Sequence, residues 1–300
     1  NRSHPGIAIF METEVWPNLY AACAKRGIPA YLVNARLSER SARGYGRIAG
    51  LIRPALASLA GIAAQTEADA GRLAGLGAAA VIVTGNIKFD VAAAPDTYQR
   101  AEVLRKTFSG RFVFLAASTR DGEEELILDT CLELGIPDLL LVIVPRHPQR
   151  FDEVAALLES RGVEFARRSR HEPVTRETEV FLGDSMGEMA AFYAASDVAF
   201  IGGSLLPLGG QNLIEAADMG CPVLIGPHTW NFLDATERAI DCGAALRITD
   251  AEDLARSVKR LHQDAGARHA MAEAGMHFSR AHQGATDKVM KLLEPALARL

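Results

Sequence analysis

The sequence predicts an α/β protein with two doubly wound parallel-sheet units, and three observations support that prediction. Ten short apolar runs alternate with helix-like stretches along nearly the whole chain. The runs are apolar almost without interruption, which is typical of parallel strands covered by helices on both faces. Polar or glycine-rich turns follow several of them, where ligands bind in open parallel sheets. Ten strands fit two such units better than one long sheet.

The predicted strands fall into two series, each belonging to one unit. They lie at residues 7–10, 30–34, 61–65 and 80–85, and then at 111–118, 139–145, 180–184, 198–204, 222–227 and 244–247. Residues 90–108 lack strand character and indicate a linker leading into a helix. We therefore expect domains at 1–95 and 96–300, the second ending in an amphipathic helix. The first, with four strands, resembles the back half of a domain, so we expect its beginning to be missing.

Composition excludes several classes of protein. A hydrophobic fraction of 49% and a charged fraction of 23% indicate a folded globular chain. No uninterrupted apolar run approaches the ~18 residues of a membrane-spanning helix. The four cysteines form no CxxC pair, and no secretory signal opens the chain, which favours reduced thiols in the cytosol. Residues 1–90 carry 10 Lys and Arg against 6 Asp and Glu, but the remainder carries 22 against 31, so nucleic-acid binding is disfavoured.

Three turns that follow strands of the second unit contain candidate ligand-binding groups. Arg146 follows the run at 139–145 and could hold a phosphate or carboxylate, or be an ordinary surface arginine. In the turn 183–188, Gly187 would let backbone approach a ligand, although Ser185 and Glu188 also fit a simple capping box.

The glycine-rich segment 202–215 is the strongest local signal for a ligand site. It contains two glycine pairs, and a helix is predicted to begin near Asn212, with Glu215 placed to accept hydrogen bonds from ribose hydroxyls. The segment is neither a Walker loop nor GxGxxG, which disfavours a dehydrogenase. Together the three turns predict a nucleotide site.

The first unit holds a basic stripe and two isolated polar groups. Its four arginines are spaced 4, 3 and 4 residues apart and would share one helix face: Arg36, Arg40, Arg43 and Arg47. Such a face suits lipid phosphates or an anionic membrane, or is simply solvated. Glu12 and Lys88 each follow a predicted strand, where they could serve chemistry or be a helix-start carboxylate and a surface lysine.

Eight segments, in order along the chain, closely resemble those of bacterial 3-deoxy-D-manno-octulosonic acid (Kdo) transferases. They are METEVWPN at 11–18, NARLSERSARGY at 34–45, AAQTEAD at 63–69, VTGNIKFD at 83–90, VPRHPQRF at 144–151, GDSMGE at 183–188, GGSLLPLGGQN at 202–212 and GPHTWNF at 226–232.

The resemblance implies a GT-B fold of two Rossmann-like domains, the first binding the acceptor and the second binding CMP-Kdo. It implies an inverting, metal-independent glycosyltransferase that needs no cofactor and transfers Kdo to a phosphorylated lipid A precursor. Such an enzyme works on the anionic cytoplasmic face of the inner membrane, held peripherally or through a segment ahead of Asn1.

The resemblance also assigns roles to residues of this chain. It implies CMP contacts at Pro145, Arg146, Met186, Gly187, Glu188, Asn212, Leu213, Ile214 and Glu215. It implies that Glu12 and Lys88 stabilise the transition state and that the arginine stripe meets the acceptor or the membrane. The family's general-base glutamate, in a glycine-containing loop near the N-terminus, has no counterpart here, so we expect CMP binding with impaired transfer. The alternatives are a UDP-sugar-dependent GT-B glycosyltransferase or epimerase, and a non-catalytic membrane-associated binding protein.

Overall fold

The protein, seen here in a computed structural model that describes residues 5–299, divides into two compact units. Unit 1 comprises residues 1–91 and 282–300, and unit 2 comprises residues 92–281. The first division therefore falls between 91 and 92, close to the expected 95, but the C-terminal segment belongs to unit 1 and not, as expected, to unit 2.

Strands and helices alternate through both units. The strands are β1 Ala8–Met11, β2 Ala30–Ala35, β3 Gly61–Ala64, β4 Val81–Val83, β5 Phe112–Thr119, β6 Leu139–Pro145, β7 Phe165–Arg167, β8 Val180–Leu182, β9 Val198–Ile201, β10 Val223–Ile225 and β11 Ala245–Arg247. The helices are α1 Pro17–Lys25, α2 Glu39–Arg47, α3 Ala49–Ala57, α4 Glu67–Gly75, α5 Thr97–Thr107, α6 Glu123–Glu133, α7 Phe151–Ser160, α8 Met189–Ala194, α9 Ile214–Asp218, α10 Leu233–Asp241, α11 Ala251–Gln263, α12 Ala265–Ala281 and α13 Ala285–Leu297.

Unit 1 is built on a four-stranded parallel sheet in the order β1-β2-β3-β4. Successive side chains of β2 point to opposite faces, so a strand whose residues are all buried needs cover on both. Leu32 packs with Ile52 and Leu56 of α3 on one face. Tyr31 packs on the other face in a cluster with Leu293 of α13.

The C-terminal helix is tied to unit 1 by hydrogen bonds as well as by this packing. The Asp90 carboxylate accepts the backbone N–H of Gly284 at 2.6 Å and that of Thr286 at 2.5 Å. The residue before α13 is a glycine and offers no capping side chain, so Asp90 satisfies the first-turn donors instead. The expectation that this helix ends the second domain was wrong, because its apolar face would suit either sheet and its place in the sequence does not decide between them.

Unit 2 contains a seven-stranded parallel sheet in the order β11-β10-β9-β5-β6-β8-β7. All ten predicted strands are present, and the α/β fold class is confirmed. The strand that the sequence did not predict is β7, a three-residue edge strand with the sequence FAR. It escaped prediction because an edge strand needs no continuous apolar run.

Candidate functional site

The strand order of unit 2 reverses at β5, which marks the expected ligand crevice. From β5 the chain crosses to β6 on one side and later returns to β9 on the other. In open parallel sheets, ligands bind beyond the carboxyl ends of the strands at such a switch point. The loops that follow β5, β6 and β9 therefore define the candidate site.

Arg146 and Gln211 meet at this edge. Pro145 ends β6 opposite Thr119 of β5, and the backbone N–H of Arg146 donates to the Thr119 carbonyl at 3.0 Å. The exposed side chain of Arg146 donates from Nε to Gln211 Oε1 at 3.3 Å. The end of β6 and the loop before α9 are thus joined through side chains.

Glu215 belongs to the same cluster. Asn212 donates from Nδ2 to Glu215 Oε1 at 3.3 Å and accepts the N–H of Ile214 at 3.1 Å. Burial raises the pKa of Glu215, against the opposing effects of the Asn212 amide and the nearby Arg146 charge. Leu213 and Ile214 are buried, so neither offers an exposed side chain to a ligand.

The turn 183–188 is stabilised differently from the capping box that the sequence allowed. Ser185 donates to Glu188 Oε2 at 2.6 Å, and α8 is preceded by Glu188 with no side-chain cap. Arg168 donates two hydrogen bonds to the same carboxylate, of 2.8 and 3.1 Å. Those bonds lower the pKa of Glu188 despite its burial. Among residues 5–299, no described contact joins Glu188 to the Arg146 cluster.

The exposed part of this turn is its tip. Met186 is 62% exposed, and Gly187 has a φ of +75° with open space where a Cβ would stand. Of the three predicted nucleotide contacts here, Met186 and Gly187 are therefore accessible, whereas the side chain of Glu188 is already occupied by Arg168 and Ser185.

The glycine loop after β9 is held by a carboxylate that the sequence reasoning missed. Glu123 is fully buried in the first turn of α6 and accepts the backbone N–H groups of Gly203 at 2.6 Å, Arg120 at 3.0 Å and Leu205 at 3.1 Å. Gly202 lets this loop pass close to the end of β5, because a Cβ there would lie 2.4 Å from the Ser118 carbonyl oxygen.

A second buried carboxylate of α6 holds the loop after β6. Glu124 accepts Thr119 Oγ1 at 2.9 Å and Arg150 Nη2 at 3.1 Å, and burial raises its pKa. In the sequence, both carboxylates belong to the polar segment STRDGEE at 118–124, which begins at the end of the central strand β5 and could have indicated their role.

In unit 1, Glu12, Arg36 and Lys88 form a charged cluster at the carboxyl edge of the sheet. Lys88 Nζ lies 2.7 Å from Glu12 Oε1, and Arg36 Nε lies 3.9 Å from Glu12 Oε2. Glu12 has a φ of +56°, a left-handed conformation that suits the sharp turn after β1. Each of the three side chains is about 30% exposed. The two residues predicted to act together are therefore in contact.

The predicted helical placement of the four arginines is correct for three of them and wrong for Arg36, and their role stays a prediction. Arg40, Arg43 and Arg47 are exposed on α2, a helix with no buried residue. Ser38 caps α2 by accepting the N–H of Ser41, so the helix begins at Glu39. Arg36 therefore precedes the helix, and its guanidinium faces Glu12 instead of continuing the stripe.

Two further features of the described residues bear on function. No group of three His, Cys, Asp or Glu side chains between residues 5 and 299 is placed to hold a metal ion. In the same range, no helix combines the length and the apolar character needed to cross a bilayer.

Comparison with known proteins identifies the family. Residues 1–91 match the family described as 3-Deoxy-D-manno-octulosonic-acid transferase (kdotransferase). The 3-deoxy-D-manno-octulosonic acid transferase of Bordetella pertussis is 45% identical over 300 residues, covering 98% of this chain and 70% of that protein. The chain belongs to the Kdo transferase family. The enzyme of the same name from Haemophilus influenzae is 38% identical, covering 100% of this chain and 71% of its own length.

Solved structures agree with this family and fold. The crystal structure of the C-terminal CMP-Kdo binding domain of WaaA from Acinetobacter baumannii matches with a TM-score of 0.59 and 31% identity, covering 62% of this chain and 98% of that domain. Anabaena HepE in complex with UDP matches with a TM-score of 0.61 at 15% identity over 98% of this chain and 79% of its own, and shows the fold alone. This Kdo transferase therefore has the GT-B architecture and is a glycosyltransferase of lipopolysaccharide biosynthesis.

Proposed function

We propose that this Kdo transferase moves Kdo from CMP-Kdo to a phosphorylated lipid A precursor, with inversion and without a metal ion. Unit 2 would bind the donor and unit 1 the acceptor. The observation that carries the proposal is the hydrogen bond between Arg146 and Gln211 at the switch point of unit 2. Glu215, held by Asn212 at the start of α9, adds a carboxylate close enough to feel the Arg146 charge, so that this edge offers one cation and one carboxylate to a nucleotide.

The donor would bind through chemistry that matches these groups. Arg146 binds the phosphate of CMP by charge-assisted hydrogen bonds, because its guanidinium has only a neutral amide as a partner among the described contacts. Glu215, held by Asn212, accepts hydrogen bonds from ribose hydroxyls. The open tip at Met186 and Gly187 offers backbone groups to the base or the sugar.

In the reaction, an acceptor hydroxyl oxygen forms a bond to the anomeric carbon of Kdo from the face opposite the phosphate. The bond between that carbon and the phosphate oxygen breaks, and CMP leaves with the electron pair. Arg146 stabilises the charge that grows on the leaving phosphate. The hydroxyl proton passes to solvent water, because the Glu12 carboxylate already pairs with Lys88 and Arg36 and is poorly placed to accept it.

Glu12 and Lys88 act instead as a coupled pair. Glu12 fixes the Lys88 ammonium at 2.7 Å, so the positive charge is oriented before substrate arrives. Lys88 stabilises negative charge in the transition state, and Arg36 supports Glu12 from its other oxygen.

We further propose that unit 1 meets the anionic cytoplasmic face of the inner membrane through α2 and neighbouring helices. Arg40, Arg43 and Arg47 are exposed on α2, and Trp16 and Leu51 of the same unit are 53% and 54% exposed. Basic and apolar side chains together favour an anionic lipid surface.

A transfer assay tests the proposal. CMP-Kdo and a bisphosphorylated lipid A precursor are incubated with the chain, and CMP release and the Kdo-bearing lipid are measured by mass spectrometry. We expect slow transfer, since no described residue is assigned as the general base, and Arg146→Ala and Lys88→Met should each reduce it at least tenfold further. No product is expected when a UDP-sugar replaces CMP-Kdo. Transfer from a UDP-sugar, or equal rates for Arg146→Ala and the surface control Arg256→Gln, would contradict it.

A further inference from the structure

A second arginine stands beside Arg146 at the switch point of unit 2. The register of β5 and β6 pairs Thr119 with Pro145, so Arg120 and Arg146 each follow one member of that pair. Their backbones are tied together, because the N–H of Arg146 donates to the carbonyl of Thr119, the residue before Arg120. Two neighbouring strands are thus each followed directly by an arginine.

The side chain of Arg120 leads toward the same loop that Arg146 contacts. A Cβ added to Gly203 would lie 3.6 Å from Arg120 Cγ and 3.2 Å from Gln211 Nε2. The other end of the Gln211 amide accepts the Arg146 hydrogen bond. Gly203 therefore stands between Arg120 and the Gln211–Arg146 pair.

The charge of Arg120 is left without a carboxylate partner. Its nearest acidic neighbours in sequence are already used, since Asp121 pairs with Arg150 at 2.6 Å and Glu123 accepts three backbone N–H groups. Among residues 5–299, the Arg120 guanidinium has no described ion pair or hydrogen bond. Elsewhere in unit 2 arginines are commonly paired, as Arg150, Arg167 and Arg168 are. A half-buried arginine left uncompensated beside a ligand site is typical of an anion-binding residue.

We propose that Arg120 binds the carboxylate of the donor sugar, while Arg146 binds the phosphate. This rests on the proposed function, because CMP-Kdo carries its carboxylate and its phosphate on the same anomeric carbon. Two anions this close together in one ligand are best bound by two neighbouring cations. Arg120 and Arg146, which follow β5 and β6, are such a pair. Arg120 would thereby distinguish a sugar acid from the neutral sugars of other nucleotide donors.

The test compares two ligands that differ in the sugar acid alone. Affinities for CMP and for CMP-Kdo are measured by calorimetry for the wild type, Arg120→Gln, Arg120→Lys and the surface control Arg256→Gln, whose arginine lies on α11. We expect Arg120→Gln to weaken CMP-Kdo about 10- to 100-fold, the value of one charged hydrogen-bonded pair, and to leave CMP within twofold. Arg120→Lys should recover part of the loss, and Arg256→Gln should change neither affinity.

Each alternative result has a definite meaning. Equal weakening of CMP and CMP-Kdo by Arg120→Gln would overturn the carboxylate assignment and make the phosphate its ligand. Unchanged affinity for both would overturn any role in donor binding. Failure of the wild-type protein to bind CMP would contradict the proposed function itself. Because Arg120 has no described side-chain partner to lose, we expect thermal unfolding of all variants to match the wild type.

Discussion

The carboxyl edges of the two sheets hold their charges in opposite ways. In unit 2, buried carboxylates such as Glu123 and Asp184 accept several hydrogen bonds from surrounding loops. In unit 1, Glu12, Arg36 and Lys88 are each about 30% exposed, and Glu12 pairs with both cations. We expect from this difference that unit 2 is preorganised for a small charged ligand, whereas unit 1 offers its charges to a ligand that meets its surface.

The largest expected effect comes from removing the carboxylate that anchors the glycine loop. Glu123→Ala leaves three backbone N–H groups without an acceptor, and each buried orphan donor costs about 1–3 kcal/mol. We expect unit 2 to lose about 3 kcal/mol or more of unfolding free energy. Urea unfolding measures it, with Glu125→Ala, at an exposed position two residues further along α6, as the matched control. A loss below about 1 kcal/mol would show that the loop does not depend on Glu123.

The next effect tests whether the charge of Asp184 matters. This carboxylate accepts Arg167 Nε at 2.7 Å, Ser169 Oγ at 2.6 Å and Ser169 N at 2.7 Å. Its burial acts to raise the pKa, but the Ser169 and Arg167 hydrogen bonds lower it overall. We expect Asp184→Asn to cost about 2 kcal/mol at pH 7.

The pH dependence of that cost follows from the sign of the shift. A lowered folded-state pKa means that the contribution is complete above the unfolded pKa of about 3.9 and is lost as the pH falls through the lower folded value. Unfolding measured from pH 7 to pH 3 should therefore show wild type and Asp184→Asn converging in acid. A gap that stays constant throughout would contradict the charge-based account.

A smaller effect is expected in unit 1, at the attachment of α13. Asp90 caps α13 from outside the helix by accepting the backbone N–H groups of Thr286 and Gly284. Partial burial acts to raise the pKa of Asp90, but these hydrogen bonds lower it overall. We expect Asp90→Asn to cost about 1 kcal/mol, a typical capping contribution. Hydrogen exchange should show a larger acceleration in α13 than in α12, which belongs to unit 2. Equal change in both helices would contradict the division into units.

A still smaller effect on stability is expected for the Glu12–Lys88 pair. Because both side chains are partly exposed, Lys88→Met should change the unfolding free energy by less than about 1 kcal/mol. Its effect on Kdo transfer should nevertheless exceed tenfold. A variant that loses stability and activity in proportion would indicate a structural role for Lys88.

Replacement of the exposed arginines of α2 is expected to have no effect on stability. Replacing Arg40, Arg43 and Arg47 with glutamine should leave unfolding unchanged, because α2 buries no side chain. Binding to anionic vesicles should fall several-fold for each charge removed and weaken with salt. If the triple variant still binds the vesicles, the arginines are not the membrane contact, and the exposed Trp16 and Leu51 become the candidates.

The sequence predicted the parts of this molecule that depend on local pattern. All ten apolar runs are strands, because a buried parallel strand must be apolar along its length. Glu12 and Lys88 were each noted as polar groups that follow a strand, and the structure brings them into contact because parallel strands have their carboxyl ends at one edge. The resemblance to Kdo transferases, carried by ordered motifs, is confirmed by the matched relatives.

What the sequence missed depends on contacts between distant residues. Glu123 lies 80 residues from Gly203, so its role as an anchor could be found only once β5 and β9 were known to be neighbours. Arg36 fitted the helical spacing of the stripe, but the Ser38 cap starts the helix only at Glu39, which leaves Arg36 outside it. The helix α13 was wrongly expected in the second domain, because either sheet offered an apolar face that it could cover.

The central claim is that the carboxyl edge of unit 2 binds a cytidine nucleotide through Arg146, and calorimetry with CMP tests it most directly. We expect saturable binding of CMP by the wild type, at least tenfold weaker binding by Arg146→Ala, and unchanged binding by Arg256→Gln. Tighter binding of UDP than of CMP, or wild-type affinity in a folded Arg146→Ala protein, would contradict the account.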